Sequence, residues 1–477
     1  MRRTTKPGIM IDTAHIPAKT EMPETFFGEL KALLILGLPM ALAQFIQFSI
    51  YFVDTVMLGR IGPEALAAAG LGAVVYFLFW MIGSGPVMAV TPLVAQALGA
   101  DKNDRRDARK TVRMSLWVIG FMTPVLVGLL FLIEPLLMLI RPELARPATL
   151  YMMALAPGWP FALGIWSLRN FLASIGKTRV PLYIVSLTVI MNAGLNALLI
   201  FGMFGFPRLE LIGAGIASSI SYTLSFFMFV TYCFRDADAR EYDLFENFFR
   251  PHWERLREVV RLGWPMSITT IFEGMLFNAC ILLMAFIGTN ELAAYQVALN
   301  AASMAFMLPF GFAMGGSVRV GLAAGARNPQ AVRRVGIATI SICVVLIMMF
   351  AALITVVPEQ LADLYLSAAS EKNAAVRILM LSFLPVAAAF MLFDAVQVAA
   401  NQLLRGLKDV TVPMWMTGLS YWAVGFPLSW CLGLHTELGA VGIWYGLLAG
   451  LATVAVLLGG RFYRLAWRRP DLWLSKA

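Results

Sequence analysis

Long runs of apolar residues almost free of charge constrain this chain more than any other feature. Residues 116–133 and 337–357 are two of many such runs, and about 18 residues of this kind can cross a bilayer as a helix. The pattern predicts about twelve transmembrane helices, over 33–58, 67–95, 112–134, 148–173, 180–204, 211–234, 259–287, 293–323, 332–357, 375–404, 411–434 and 439–464. At about 20 residues each, they use most of the chain. Composition agrees: 60% of the 477 residues are hydrophobic and 14% charged, against about 25% charged in soluble domains. The expected fold class is an all-α integral membrane protein.

Several other classes are excluded. The first 30 residues carry Arg2, Arg3 and Lys6 ahead of any apolar core, which reads as a polar tail and not a signal peptide. Cys233, Cys280, Cys343 and Cys431 lie in or beside apolar segments with no CxxC pair, and His15, His252 and His435 are scattered. The cysteines read as small core residues. No Walker-A loop, HExxH or GxSxG motif appears. Neither an enzyme nor a cofactor is expected, and the chain has no room for the nucleotide-binding domain of an ATP-driven pump.

Basic residues set the orientation. With the N-terminus in the cytoplasm, 31 of the 37 Lys and Arg fall inside. The expectation is a multi-pass protein of the cytoplasmic (inner) membrane with both termini inside. The formal charge of +9 then faces anionic lipid heads, and nucleic acid is not an expected partner. The expected divisions are a tail over 1–31, a six-helix bundle over 32–234, an amphipathic surface linker over 235–258, a second bundle over 259–464 and a tail over 465–477.

The two bundles are an internal repeat. Shifted by 226 residues, Gly37-Leu38-Pro39-Met40 lands on Gly263-Trp264-Pro265-Met266. Gly85 lands on Gly311 and Gly99-Ala100 on Gly325-Ala326. Six helices per half is an even number, so the repeat is parallel, about an axis along the membrane normal. Two such bundles leave a cleft that can open to one side at a time. Pro39, Pro92, Pro124, Pro157, Pro265, Pro309, Pro385 and Pro427 lie inside spans and can kink them.

Acidic residues in hydrocarbon are costly and usually functional. Asp54, Glu273 and Asp394 lie within the first, seventh and tenth spans, with no basic residue expected at comparable depth. A dehydrated carboxylate without a fixed counter-ion can hold a proton, a sodium ion or a cationic substrate. Polar residues recur beside them at helical spacing: Gln44, Gln47, Tyr51 and Asp54; Asn192 and Asn196; Gln296, Asn300 and Ser303; Asp394, Gln397 and Asn401. Such stripes either line a cavity or join helices.

Phe52-Val53-Asp54-Thr55-Val56-Met57, Ala294-Tyr295-Gln296-Val297-Ala298-Leu299-Asn300, Arg319-Val320-Gly321 and Leu404-Arg405-Gly406 give the chain a resemblance to the MATE family of multidrug and toxic compound extrusion transporters, nearest its NorM-like branch. The resemblance covers residues 30 to 460. It implies antiport of sodium or protons against a cationic, amphipathic drug. It also implies an ion site at Asp54, Asn192, Asn196, Ser218 and the carbonyl of Ala214, with a second at Glu273 and Asp394. Phe390 stands where relatives carry Tyr, which removes a hydroxyl, and Tyr295 where His is frequent. The expected substrate cavity comprises Gln47, Tyr51, Phe272, Phe277, Gln296, Asn300, Phe390 and Gln397. The expected partners are small cationic molecules and membrane lipids, and the expected state is a monomer. The alternatives are an exporter of lipid precursors or organic anions of the same superfold and, from another class, a channel or scaffold.

Overall fold

In the computed structural model, which describes residues 22–101, 105–365 and 371–475, eleven helices are long and apolar enough to cross a membrane. They are α1 (Phe26–Gly59), α2 (Glu64–Ala100), α3 (Arg105–Leu139), α4 (Pro142–Ser174), α5 (Arg179–Phe201), α6 (Glu210–Arg235), α7 (Trp253–Ile287), α8 (Thr289–Gly325), α9 (Pro329–Val356), α10 (Ala374–Gly406) and α12 (Gly439–Arg468). The expected eleventh span is α11. It is helical over Thr411–Leu419 and Phe426–Leu434, and a π turn over Ser420–Gly425 divides it. The twelve spans form two bundles of six, α1–α6 and α7–α12. Large apolar side chains such as Phe121, Ile190, Phe286 and Leu353 are exposed, as suits a chain whose solvent is lipid tails.

Several helices run past the apolar limits of the sequence. The connections after α2, α4, α6, α8 and α10 share one end of the molecule, called here the basic end. There α7 starts at Trp253 and α3 at Arg105, because charged and amphipathic turns continue beyond the hydrocarbon. Three expected breakers do interrupt helices. A turn at Ala89 precedes Pro92, a 3₁₀ turn spans Ala156–Gly158 around Pro157, and Pro427 follows the π turn. Pro39, Pro124, Pro265, Pro309 and Pro385 sit within continuous helices. Cys431 departs from the expected core role and is exposed, while the other three cysteines are buried.

The segment after α6 is docked, not loose. Asp236 caps a short helix, Ala237–Arg240, accepting from the Ala239 N–H at 3.0 Å, and pairs with Lys177 at 3.0 Å. Trp117 Nε1 donates to the Phe248 carbonyl at 2.9 Å and Arg113 to the Asn247 carbonyl at 2.9 Å. Partial burial opposes charge on Asp236, but hydrogen bonds from Tyr232, Ala239 and Lys177 outweigh it and hold the carboxyl below its usual range.

The bundles meet through α1 and α2 on one side and α7 and α8 on the other. The contact is made by the glycines of the internal repeat. A methyl group on Gly85 would strike the Gly263 carbonyl, one on Gly311 the backbone of Ala41, one on Gly99 the Leu322 carbonyl and one on Gly325 the Gln96 carbonyl. Small residues let helix backbones approach closely where lipid supplies no hydrophobic drive. Pro86 has no N–H to give the Ile82 carbonyl. Ser267 of α7 donates to that carbonyl at 2.8 Å and accepts from the Gly85 N–H at 3.0 Å, so the opposite bundle repairs the broken helix. Nearer the basic end, Gln96 Nε2 donates to the Gly406 carbonyl at 2.8 Å. Fully buried Glu29 of α1 forms a two-pronged ion pair with Arg319 of α8, Nη2 to Oε2 being 2.8 Å. The basic end is therefore closed in this state.

Two predictions follow from these contacts. Gly85→Val overpacks the closed interface, a cost of about 1–3 kcal/mol. Transport should fall about tenfold or more with membrane insertion unchanged, whereas Gly120→Val, where a Cβ meets nothing within 4 Å, should transport normally. A depressed carboxyl contributes stability that is present at neutral pH and lost as the pH falls through its folded value. Limited proteolysis at 241–250 should therefore accelerate below about pH 4, and in Asp236→Asn it should be fast at every pH.

Candidate ion and substrate sites

Three helices build the N-terminal site. Asp54 lies on the outer part of α1, Asn192 and Asn196 one turn apart on α5, and Ser218 on α6. Asn196 Nδ2 donates to Asp54 Oδ1 at 2.5 Å and Ser218 Oγ to Asp54 Oδ2 at 3.3 Å. Asn192 Nδ2 donates to Ser218 Oγ at 3.1 Å, and Asn196 Nδ2 also reaches Asn192 Oδ1 at 3.2 Å. The structure thus brings the four expected side chains into one network. Ala214 is one turn before Ser218 in a continuous helix, so only the second lone pair of its carbonyl is free for a ligand. Asn196 Oδ1 is buried without a partner. One carboxylate, amide oxygens and a hydroxyl form an all-oxygen donor set that suits a hard cation or a proton. No group of three His, Cys, Asp or Glu side chains occurs among the described residues.

Sequence reasoning missed two neighbours of this site. Tyr76 of α2 and Tyr222 of α6 hydrogen-bond to each other, and Tyr222 is within electrostatic reach of Asp54. The i, i+4 spacing of Ser218 and Tyr222 was the available signal.

In the C-terminal bundle, Asp394 of α10 is buried and Glu273 of α7 half-buried, and Asp394 lies within electrostatic reach of Glu273. The expectation that these acids lack a fixed counter-ion does not hold for Glu273. Arg405, at the end of α10, is buried and acts electrostatically on Glu273. Arg169 of α4 is buried as well, donates to Gln44 of α1 and lies 4.8 Å over the Trp166 ring. Arg169 falls near the end of the expected span 148–173 and Arg405 just past 375–404, and hydropathy does not show that packing buries them. Arg405 also reaches Met88 Sδ at 3.2 Å and lines a narrow cavity between the bundles with Thr91, Asn170, Ser317 and Gln402.

Of the expected substrate residues, the structure brings Phe277 and Phe390 into ring contact. Gln47 is half-buried, and the side chain of Tyr51 lies outside the described residues. Gln296 and Asn300 are exposed on α8. Phe272 packs at Gly418 of α11. Phe390 is buried, edge-on to Phe277 at 6.0 Å and to Trp444 at 5.6 Å. Gln397 is buried with Oε1 unpartnered. Phe390 and Gln397 therefore belong to the interior of the C-terminal bundle here, because α10 turns that face toward α12 and α8.

Two repeat-related helical bundles, each holding a buried acid in a polar setting, define a membrane protein of the transporter type. The MatE family model matches residues 39–198 and 265–431, and the chain belongs to that family. It is 38% identical over 444 residues to the "Probable multidrug resistance protein NorM" of Rhizobium meliloti (strain 1021), covering 92% of this chain and 94% of the relative. It is 37% identical over 474 residues to the protein of the same name in Rhodopseudomonas palustris, covering 98% of each. The fold is also that of two solved structures, each 19% identical. "Crystal structure of MATE in the straight conformation" gives a TM-score of 0.84 over 94% of this chain and 97% of that one. "Outward-facing conformation of a multidrug resistance MATE family transporter of the MOP superfamily" gives 0.83 over 92% and 96%.

Asn196→Leu removes the shortest donor to Asp54. The loss of a hydrogen bond to a charged group is worth about 1.5–3 kcal/mol. Thermal unfolding of detergent-solubilised protein should shift down accordingly, and any stabilisation by added sodium should disappear.

Proposed function

We propose that the chain is a secondary multidrug efflux antiporter, exporting cationic amphipathic compounds in exchange for sodium or protons by alternating access. The observation that carries the reading is the pair of buried acid sites, Asp54 with its amides and Glu273 with Asp394, on either side of an interface that closes at one end through glycines. The names of the relatives point the same way. With the basic end in the cytoplasm of a cell whose inner membrane holds the protein, the state described here faces outward. Opening the basic end would part α1 and α2 from α7 and α8 and break the Glu29–Arg319 pair. A cation entering from the cytoplasm would be drawn to the half-buried Glu273 and to Asp394, and Phe272 and Phe277 supply apolar surface for varied shapes. An external sodium ion or proton that neutralises the acids then removes the attraction, and the drug leaves. One charge moving inward gains about 2.3 kcal/mol per 100 mV. Asp54, Asn192, Asn196, Ser218 and the Ala214 carbonyl would hold the ion in the N-terminal half. No cofactor and no second subunit enter this scheme.

Arg405 in the interface cavity favours a second reading, export of an organic anion, because a guanidinium there repels cations. Efflux from sealed vesicles under a sodium gradient and a proton gradient in turn separates the two. A fluorescent cationic dye should leave under at least one gradient, and Asp54→Asn, Glu273→Gln and Asp394→Asn should each lower its rate about tenfold or more. Transport of an anionic dye only, at rates unaffected by those three substitutions, would favour the second reading.

A further inference from the structure

The C-terminal acid pair has a neighbour on a third helix. Tyr421 of α11 is fully buried, and its hydroxyl has no hydrogen-bond partner among the described residues. The turn that carries it packs on α7, where Gly418 meets the ring of Phe272, the neighbour of Glu273, and its hydroxyl is within electrostatic reach of both Glu273 and Asp394. Asp394 Oδ1 is likewise buried without a partner. A donor and an acceptor of the same bundle thus both stand unsatisfied, and unpaired buried polar atoms call for an explanation in a ligand, a water or a change of state. Two more such atoms extend the cluster. Thr417 is one turn before Tyr421 and Gln397 one turn after Asp394, and Thr417 Oγ1 and Gln397 Oε1 are both unpartnered. Thr417 and Tyr421 share a face of α11, as Asp394 and Gln397 share a face of α10.

The backbone is shaped for this arrangement. Tyr421 lies in the π turn Ser420–Gly425 that interrupts α11. π turns are rare and gather at functional positions. This one fits because Gly425 faces Gly450 of α12 almost backbone to backbone. Phe390, one turn before Asp394, has no hydroxyl and is packed between Phe277 and Trp444. Any hydroxyl for the acid pair therefore has to come from another helix. The charged groups near the cluster are Glu273 from α7 and Asp394 and Arg405 from α10; Tyr295 of α8 and Trp444 of α12 are uncharged.

We propose that the Tyr421 hydroxyl is the third member of the Glu273–Asp394 site and a positioning residue for the cation or proton held there. A phenol both donates and accepts. It can therefore offer its oxygen to a bound ion or its hydrogen to a carboxylate as the charge of the site changes. Thr417 and Gln397 add two more unpartnered oxygens one turn from Tyr421 and Asp394. This inference rests on the antiporter reading above.

The test is efflux of a cationic dye from sealed vesicles, with external sodium titrated at fixed pH and external pH stepped without sodium. Tyr421→Phe keeps the ring and removes the hydroxyl. It should raise the external sodium or proton concentration for half-maximal efflux about tenfold, as expected for one charge-assisted hydrogen bond. The dye concentration for half-maximal efflux and the melting temperature in detergent should not move. Should Tyr421→Phe fail to insert, Thr417→Val should give a smaller shift in the same direction. An unchanged half-maximal concentration in the inserted variant overturns the inference. Glu273→Gln and Asp394→Asn measured alongside tell the two failures apart. If they lose coupling while Tyr421→Phe keeps it, only the role of Tyr421 falls. If they too couple normally, the reading of the acid pair as a coupling site falls with it.

Discussion

Two membrane-embedded bundles can seal against each other only where backbone can reach backbone, and here glycines allow that contact. Gly37 and Gly263, Gly85 and Gly311, and Gly99 and Gly325 are pairs related by the internal repeat, and every one of them faces the opposite bundle. Lipid tails supply no hydrophobic drive between helices, so the seal depends on close van der Waals contact and a few polar bonds. The Ser267 hydroxyl, bridging Gly85 and the carbonyl that Pro86 leaves orphaned, ties the proline of one bundle to the other. A contact of this kind is discrete. It is made in full or lost, which suits a protein that alternates between closure at one end and closure at the other.

The buried charges are arranged around that seam in two different ways. Asp54 is satisfied within its own bundle by Asn196 and Ser218. The C-terminal acids are less complete. Asp394 keeps an unpaired oxygen, and Glu273 feels Arg405, whose guanidinium reaches into the cavity between the bundles. A change of charge at Glu273 is therefore felt at the interface through Arg405, whereas a change at Asp54 acts first on the packing of α1 against α5 and α6. Nearer the basic end, the Glu29–Arg319 pair fastens α1 to α8. Removing one partner of such a buried pair costs far more than the pair itself contributes, so it favours complete closure over partial.

Much of this was legible in the sequence, for physical reasons. Hydrocarbon demands long uncharged helices, so the twelve spans could be read from 33–58 through 439–464. The repeat of Gly37-Leu38-Pro39-Met40 at 263–266 marked the parts that must fit against each other. Asp54 stood out as an acid in an apolar helix and Asn192 with Asn196 as a polar stripe, whereas Ser218 was named only through the family resemblance. What stayed hidden depends on contacts between distant segments. Arg169 and Arg405 sit near the ends of apolar runs, and only packing reveals that both are buried. Glu29 was read as part of a polar tail, yet α1 extends over it and brings it to Arg319. Pro86 looked like any other span residue until Ser267 was placed beside it. Tyr421 and Thr417 have the spacing of a polar stripe, but their meaning comes from the π turn and from α7 beside them.

The most direct test of alternating closure is a pair of distance measurements across the seam. Spin labels at Glu64→Cys with Asn290→Cys report one end, and labels at Ala100→Cys with Ala326→Cys the other; all four positions are exposed and each pair is related by the repeat. In vesicles, lowering external sodium or raising external pH in the presence of a cationic dye should change the two distances in opposite senses, the 100–326 distance lengthening as the 64–290 distance shortens. Two distances that stay fixed, or that lengthen together, would contradict the account.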